Sequence, residues 1–403
     1  MRLKELRMVS VVLLSALLNG SPACSQLLSP GGGPVLDPDR ELPGTGFRQR
    51  RDSSMLPEDP LVLEWLKVMQ DHASEDKKLV PSMEGDNEAQ TFNNSIVAMA
   101  FVLKNERERA ERIMDFYASH TNINNTDLTL QNFFYNREAR GFYQHVSLST
   151  YHDEGNSSDR WIGDMAWLLL ACKFYGQHFS SDRYTGLITL IKNLLTSFYH
   201  QEGSGGYVQS GWRNGDRRLH EATGHHEGNI DCYAVMRVCG DDTMAGNIRN
   251  WLDSALMNAV DLPLDLYTWR VLAFGNGVAS LLNIPEYDLR YRKILDVGGA
   301  GVMGFYHGPD IDMNNFWMDG TGHMACAFQS VGQEERGCFY ANQMDRLLIS
   351  RTQYGHQTRS LPYTLNRTGG YDWVDTTKGF SSTAAWYILA KNRFNPLKLA
   401  FHR

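Results

Sequence analysis

Two kinds of apolar pattern alternate along this chain, and the alternation restricts the fold more than any motif does. In "RYTGLITLIKNLLTSFYH", Tyr184, Leu187, Ile188, Ile191, Leu194, Leu195 and Phe198 recur at three- and four-residue spacings. That is one apolar stripe on an otherwise polar helix. "ERERAERIMDFYA" repeats the stripe with Ala110, Ile113, Met114 and Tyr117, and "PLVLEWLKVM", "AGNIRNWLDSALM" and "EERGCFYANQMDRLLI" are similar. The second kind has no polar face: "SIVAMAFVL", "MAWLLLACKFY", "IDCYAVMRVC", "TWRVLAFGNGVASLL", "GHMACAFQSV" and "STAAWYILA". A helix that is apolar all round must be enclosed on every side.

The order of the two kinds predicts the architecture. After a striped segment at 60–73, enclosed segments begin near 94, 162, 230, 267, 321 and 381. Striped segments follow near 107, 182, 242 and 334, and only "PEYDLRYRKILDV" after 283 makes a poor helix. The pattern predicts an all-α fold, an (α/α)6 toroid with an inner ring of six helices inside an outer six. A solenoid would repeat its sequence at a fixed period, and no such repeat is visible. An irregular helical domain is the other alternative. Longer polar, Gly- and aromatic-rich stretches at 74–92, 120–160, 201–226, 296–319 and 351–380 precede the enclosed helices, whereas links to the striped ones are mostly short. The long loops should therefore gather on one face, and long structured loops usually carry function.

Outside that domain, expected at 59–403, the chain reads differently. Arg2, Lys4 and Arg7 precede "MVSVVLLSALL", an apolar run too short to span a bilayer, and "SPACSQ" offers small residues for cleavage. Residues 1–25 therefore read as a signal peptide, with a lipoprotein-type anchor on Cys24 as the second choice. The protein is expected to be secreted or periplasmic, without a membrane span. Residues 26–58, rich in Gly, Pro and charge, read as a disordered linker. A net charge of -7 disfavours a nucleic-acid partner. Beyond Cys24 there are five cysteines without CxxC spacing, read as free thiols. HExxH, P-loop, dinucleotide and GxSxG motifs are missing from the sequence. Neither a metal nor another cofactor is expected, and a monomer is.

Polar groups crowd the N-terminal ends of the enclosed helices. "GHHEGNIDCY" carries His226, Glu227, Asn229 and Asp231, "SDRWIGDMAW" carries Arg160, Trp161 and Asp164, and "NNFWMDGTGHMA" carries Trp317, Asp319 and His323. "GGYDWVDTTKGF" adds Tyr371, Asp372 and Trp373. A single Asp or Asn at such a place caps a helix and stabilises by about 1 kcal/mol. Carboxylates continuing into the first apolar turn need partners or a task, because burial disfavours the charged form. Carboxylates in a pit lined by Trp and Tyr suit glycosidic cleavage, in which one carboxylic acid protonates the leaving oxygen and a second carboxylate activates water or attacks. Glu227 is the candidate acid, Asp319 or Asp164 the candidate base, and Asp231 a reserve. Gly320 and Gly322 beside Asp319 read as room for a ligand. Trp161, Trp212, Trp317, Tyr371 and Trp373 are candidate stacking platforms for an oligo- or polysaccharide. Arg160, His226, Asn229, His323 and Asp372 are candidate substrate contacts.

The six alternations, the stretch "TFNNSIVAMAFVLKNERERAERIMDFY" and the run "HHEGNIDCYAV" resemble the six-hairpin glycosidase-like superfamily, over roughly residues 60–392. The resemblance implies an (α/α)6 toroid with a carbohydrate-cleaving cleft formed by the long loops, hence a glycoside hydrolase. It lies at superfamily level and transfers no catalytic residue. Two alternatives use the same cleft: a polysaccharide lyase or sugar epimerase, with Tyr306 or His307 as base and Arg160, Arg213 or Arg270 neutralising a uronate, and a non-catalytic carbohydrate-binding protein.

Overall fold

The computed structural model describes residues 54–153, 159–220, 225–309 and 315–401. The expected signal peptide and almost all of the expected linker lie outside the described residues. In chain order the helices are α1 (Pro60–Ala73), α2 (Thr91–Leu103), α3 (Arg107–Ser119), α4 (Ile162–Phe179), α5 (Thr185–Ser197) and α6 (His226–Val238). They continue with α7 (Asp242–Ala255), α8 (Leu264–Phe274), α9 (Asn283–Tyr287), α10 (Met318–Ser330), α11 (Glu334–Met344) and α12 (Ser381–Lys391). The even-numbered helices are the enclosed ones. α2 packs on α4, α4 on α6, α6 on α8, α8 on α10, α10 on α12, and α12 returns to α2. The striped helices lie outside: α3 on α2, α5 on α4, α7 on α6, α11 on α10 and α1 on α12. Among the described residues, no helix is long and apolar enough to cross a membrane.

One outer place is filled differently from the others. "TWRVLAFGNGVASLL" reads as a single enclosed helix, but α8 stops at Phe274 because Gly275 takes φ 80. A left-handed backbone at glycine ends an α-helix with little steric penalty. A 3-10 segment, Gly275–Leu282, then packs along α8, and the short α9 continues from it. The long connections also hold small antiparallel hairpins that the glycine-rich composition hides. In the pair Arg292–Val297 and Ala300–Phe305, the turn is Gly298–Gly299, both at positive φ, as a two-residue hairpin loop requires.

The first amides of an α-helix have no partner within it, and here the loops supply them in rotation. Thr91 N donates to Gln144 O at 2.9 Å, Ile162 N to Ser210 O at 3.2 Å and Leu264 N to His307 O at 2.6 Å. Met318 N donates to Tyr363 O and Ser381 N to Ser82 O, both at 2.9 Å. Every acceptor belongs to the connection that leads into the next enclosed helix of the ring. The connections are thereby held against the N-terminal ends of the enclosed helices.

A second device recurs at the fourth helical residue. In α2, Asn94 accepts from Val80 N at 2.8 Å and donates to Val80 O and Gln90 O, both at 3.0 Å. In α6, Asn229 accepts from Val208 N at 2.7 Å and donates to Val208 O and His225 O, both at 3.1 Å. Thr321 of α10 accepts from Phe305 N in the same way, at 3.1 Å. Both asparagines are fully buried. Asn94→Ala and Asn229→Ala should each leave a buried backbone N–H and C=O unpaired and destabilise by about 2–3 kcal/mol. A fall in the urea midpoint at unchanged m checks this.

Candidate active site

Four successive members of the inner set carry a carboxylate in the first turn: Asp164 on α4, Glu227 on α6, Asp265 on α8 and Asp319 on α10. Asp231 lies one turn further along α6. Two glycines bring α4 and α6 close together. A Cβ on Gly163 would sit 3.2 Å from Asp231 Oδ2 and 3.6 Å from Gly228 Cα. The arc lies at the positive ends of the helix dipoles, which favours negative charge there.

The carboxylates divide by access. Asp164, Asp231 and Asp319 are nearly closed off, at 6%, 1% and 3% exposure. Glu227 and Asp265 keep part of their surface open to solvent although protein surrounds them otherwise, as does Tyr363 beside them. This is how groups on the floor of a concavity are placed.

Their chemistry follows from burial and mutual charge. Burial, the charges of Asp265 and Asp231, a hydrogen bond with Asp265 and the charge of Asp164 push the Glu227 carboxyl well above its usual range. Asp265 is pushed up to about 6 by burial, opposed by hydrogen bonds from its own backbone amide and from Glu227. Both carboxyls of this pair are thus held above their usual ranges. Burial raises Asp231 as well; the Trp167 indole N–H faces it and opposes the rise but stops short of a full hydrogen bond. Asp164 is pushed up to about 7 by burial, against the attraction of His145, and its Oδ2 has no donor among the described residues. His145 Nδ1 lies 2.6 Å from Glu88 Oε1. Burial pulls that imidazole down, but the Glu88 hydrogen bond and charge outweigh it, so its pKa ends above the usual value. Asp319, at about 7 through burial, accepts from Ser382 Oγ at 2.6 Å on one oxygen and from Thr383 Oγ1 on the other.

An aromatic wall adjoins the acids. Tyr363 packs on Tyr371 at 5.7 Å, Tyr371 on His307 at 5.8 Å, and Trp317 on His323 at 5.0 Å. The Tyr363 phenol is held well above its usual range by burial and by Asp319, with smaller contributions from Asp265 and Glu227. Among the described residues, no group of three or more His, Cys, Asp or Glu side chains could hold a metal ion.

No protein-family profile matches the chain, and no curated protein sequence matches it significantly. Solved structures do match. A wild-type glycosidase aligns over 83% of this chain and 96% of its own, at 11% identity and TM-score 0.58. An α-amylase from Clostridium perfringens aligns over the same shares at 13% identity and TM-score 0.55. A D-mannose isomerase does so at 10% identity and TM-score 0.53. The chain shares its fold with these solved structures.

Within that fold the nominated residues separate into groups. Glu227, Asp164, Asp231 and Asp319 come together in the arc, with Glu227 inside the first turn of α6 rather than ahead of it. Trp317 and Tyr371 belong to the wall. His323 does too, but it is buried, bonded to Thr268 Oγ1 at 2.9 Å and pushed down to about 3, hence neutral. Trp161 is buried and stacks on His225 at 4.8 Å. Trp373 and Asp372 are exposed, with Trp373 5.6 Å from Tyr363.

Four expected substrate contacts are engaged elsewhere. Arg160 donates to Asn132 O at 2.6 Å and to Gly141 O, and lies over the Tyr143 ring. Asn229 is the α6 clamp described above. Trp212 is buried beneath Arg140, 4.0 Å away, and His226 stacks on Trp251 of the outer helix α7. The glycines beside Asp319 serve packing rather than a ligand. A Cβ on Gly320 would meet the Trp317 ring at 2.5 Å, and one on Gly322 would meet Trp386 Cβ at 2.7 Å.

Asp265 and Tyr363 escaped the sequence reading. Asp265 stands in "LPLDLYTW", without the neighbouring polar residues that drew attention to the other helix starts. Its signal was present: an acid in the first turn of an enclosed helix. Tyr363 had none, since its place comes from a connection folding onto α10.

The raised carboxyls make a pH prediction. A carboxyl whose folded pKa lies above its unfolded value favours the folded state fully below about pH 4, and that contribution is lost as pH rises through the folded pKa. For Asp164 the window runs from about 4 to about 7. Asp164→Asn should leave stability near its original value at pH 4 and raise it by about 1–4 kcal/mol at pH 8. Melting curves of both proteins across that range measure the difference.

Proposed function

We propose that this chain is an exported carbohydrate-active enzyme, an (α/α)6 toroid that hydrolyses glycosidic bonds in an oligo- or polysaccharide. One observation carries the reading: Glu227, whose carboxyl is held well above its usual range, keeps part of its surface open within an arc of carboxylates beside aromatic rings. The cyclic order of helix contacts supports the toroid, and the glycosidase and α-amylase among the structural neighbours support carbohydrate as the substrate. The charged and apolar pattern ahead of Cys24 supports export.

Glu227 gives its proton to the leaving glycosidic oxygen. Asp164, two inner places from Asp265 and with Oδ2 lacking a donor, takes the proton of the attacking water. His145 assists by favouring the ionised form of Asp164. Asp319 has both oxygens engaged by hydroxyls of α12 and holds α10 to α12 instead. The aromatic wall offers flat surfaces to sugar faces. A second reading, sugar isomerisation, draws on the D-mannose isomerase neighbour and on the Glu88–His145 pair, which offers an imidazole for proton transfer at carbon.

The test is a panel of glycans and free aldoses, following new reducing ends, unsaturated ends and ketoses together. Hydrolysis predicts reducing ends alone, lowered by about 10²–10⁴-fold in Glu227→Gln with melting behaviour preserved. Unsaturated ends would move the assignment to a lyase. Ketose formation without glycan cleavage would move it to an isomerase, with His145 as the base.

A further inference from the structure

The first turn of α2 carries no acid, and the strand that runs into it supplies ionisable groups instead. Glu88–Gln90 pairs antiparallel with His145–Ser147, with Gln90 opposite His145. Alternate residues of a strand share a face. Ala89, Thr91 and Asn93 are buried, whereas Glu88, Gln90 and Phe92 are each partly open. The Phe92 ring lies 5.2 Å from Trp167 of α4 and 6.3 Å from Trp269 of α8. Trp167 in turn packs on Trp269 and on Trp386 of α12. Since α4, α8 and α12 are not neighbours in the order of helix contacts, these rings meet in the middle of the inner set. The side on which Phe92 stands is therefore the central one.

The polar groups of this segment are held in place without being used up. His145 Nδ1 donates to Glu88 Oε1 at 2.6 Å, and Gln90 Nε2 donates to the same oxygen at 3.4 Å. The backbone next to the imidazole is fixed from both sides: Gln144 O accepts from Thr91 N at 2.9 Å, and Gln144 N donates to Asp159 O at 2.8 Å. Glu88 Oε2 and His145 Nε2 have no partner among the described residues, and the two side chains keep 29% and 14% of their surface open. Burial pushes the Glu88 carboxyl up, but the bond and charge of His145 outweigh it, so it ends below its usual range and the pair is ionised. A partly open ion pair adds little to stability. This one leaves an acceptor and a donor side by side, close to an apolar ring.

We propose that Glu88, His145 and Phe92 form a subsite for one sugar ring of the glycan. Phe92 supplies apolar surface to the ring, Glu88 Oε2 accepts from one hydroxyl, and His145 Nε2–H donates to the oxygen beside it. Adjacent hydroxyls suit such a pair because each can both donate and accept, and bonds to charged groups are the stronger kind. The subsite lies on the α2 side of α4 and Glu227 on the α6 side, so it holds a ring away from the acid. The inference rests on the carbohydrate reading of this face, but not on Glu227 being the acid.

The test uses the full chain with nitrogen-labelled histidine, following the His145 ring nitrogens, which are assigned by their loss in His145→Gln. The methyl glycosides of glucose, mannose and galactose are titrated in, then the oligosaccharides of the glycan panel, with calorimetry recording total binding. A sugar that binds should move Nε2, and its Kd should rise at least about tenfold in Glu88→Gln. Deoxy analogues of that sugar locate the two hydroxyls. Their loss should weaken binding to wild type and add little in Glu88→Gln, a coupling that a merely structural change does not produce. Phe92→Leu leaves the ion pair in place, serves if Glu88→Gln folds poorly, and should raise Kd about threefold or more. A sugar that binds with His145 unmoved and Kd unchanged in Glu88→Gln overturns the subsite alone. Binding of none of these sugars overturns the subsite and the carbohydrate reading together.

Discussion

Everything on the loop-bearing face depends on how the enclosed helices satisfy their first-turn amides. These helices are surrounded by apolar neighbours along their length, so water is not at hand for every unpaired N–H at their starts. The chain answers by bending each long connection across the start of a neighbouring helix and offering a carbonyl: Gln144 to α2, Ser210 to α4, His307 to α8, Tyr363 to α10 and Ser82 to α12. Asn94, Asn229 and Thr321 add side-chain bonds to the connections that precede their helices. Moving the connection before α2, α6 or α10 would leave orphans at two helix starts, so these loops are held as a set.

That arrangement explains why carboxylates collect where they do. The helix starts are the positive ends of aligned dipoles and are crossed by long loops, so they combine favourable potential with access to a ligand. Concentrating acids there still has a cost, since burial raises every member of the arc and neighbouring carboxylates add to the rise at Glu227 and Asp231. Asp164 and Asp319 show the two outcomes. Two hydroxyls of α12 satisfy Asp319, which becomes part of the frame, whereas Asp164 keeps a buried oxygen without a donor among the described residues. Glu227 and Asp265, on the adjacent helices α6 and α8, are both held above their usual ranges, Glu227 in part by the charge of Asp265.

Much of this was legible in the residues. The runs without a polar face marked the six inner helices, and the stripes marked their outer partners, with Pro60–Ala73 recovered at its full extent. The acids Asp164, Glu227 and Asp319 stood out because a carboxylate immediately before an apolar run conflicts with burial. Arg160, Trp212, His226 and Asn229 looked equally functional because polar and aromatic residues beside an active site and within its supporting frame have the same composition. Their partners Gly141, Arg140, Trp251 and Val208 decide between the two, and those partners are distant in sequence or hidden in loops of irregular pattern.

The sequence by itself determined which segments are enclosed and which have one wet side, because helical periodicity is a local property and burial follows from it. Tertiary structure decided which polar groups remain free. Whether a carboxylate is a frame element or a reagent depends on whether a donor from another helix reaches it. Ser382 and Thr383 reach Asp319; among the described residues none reaches Asp164 Oδ2, and Asp265 meets Glu227 only because α8 lies beside α6 in the ring. Such meetings are set by the packing of helices far apart in the chain, and no pattern within a single helix encodes them.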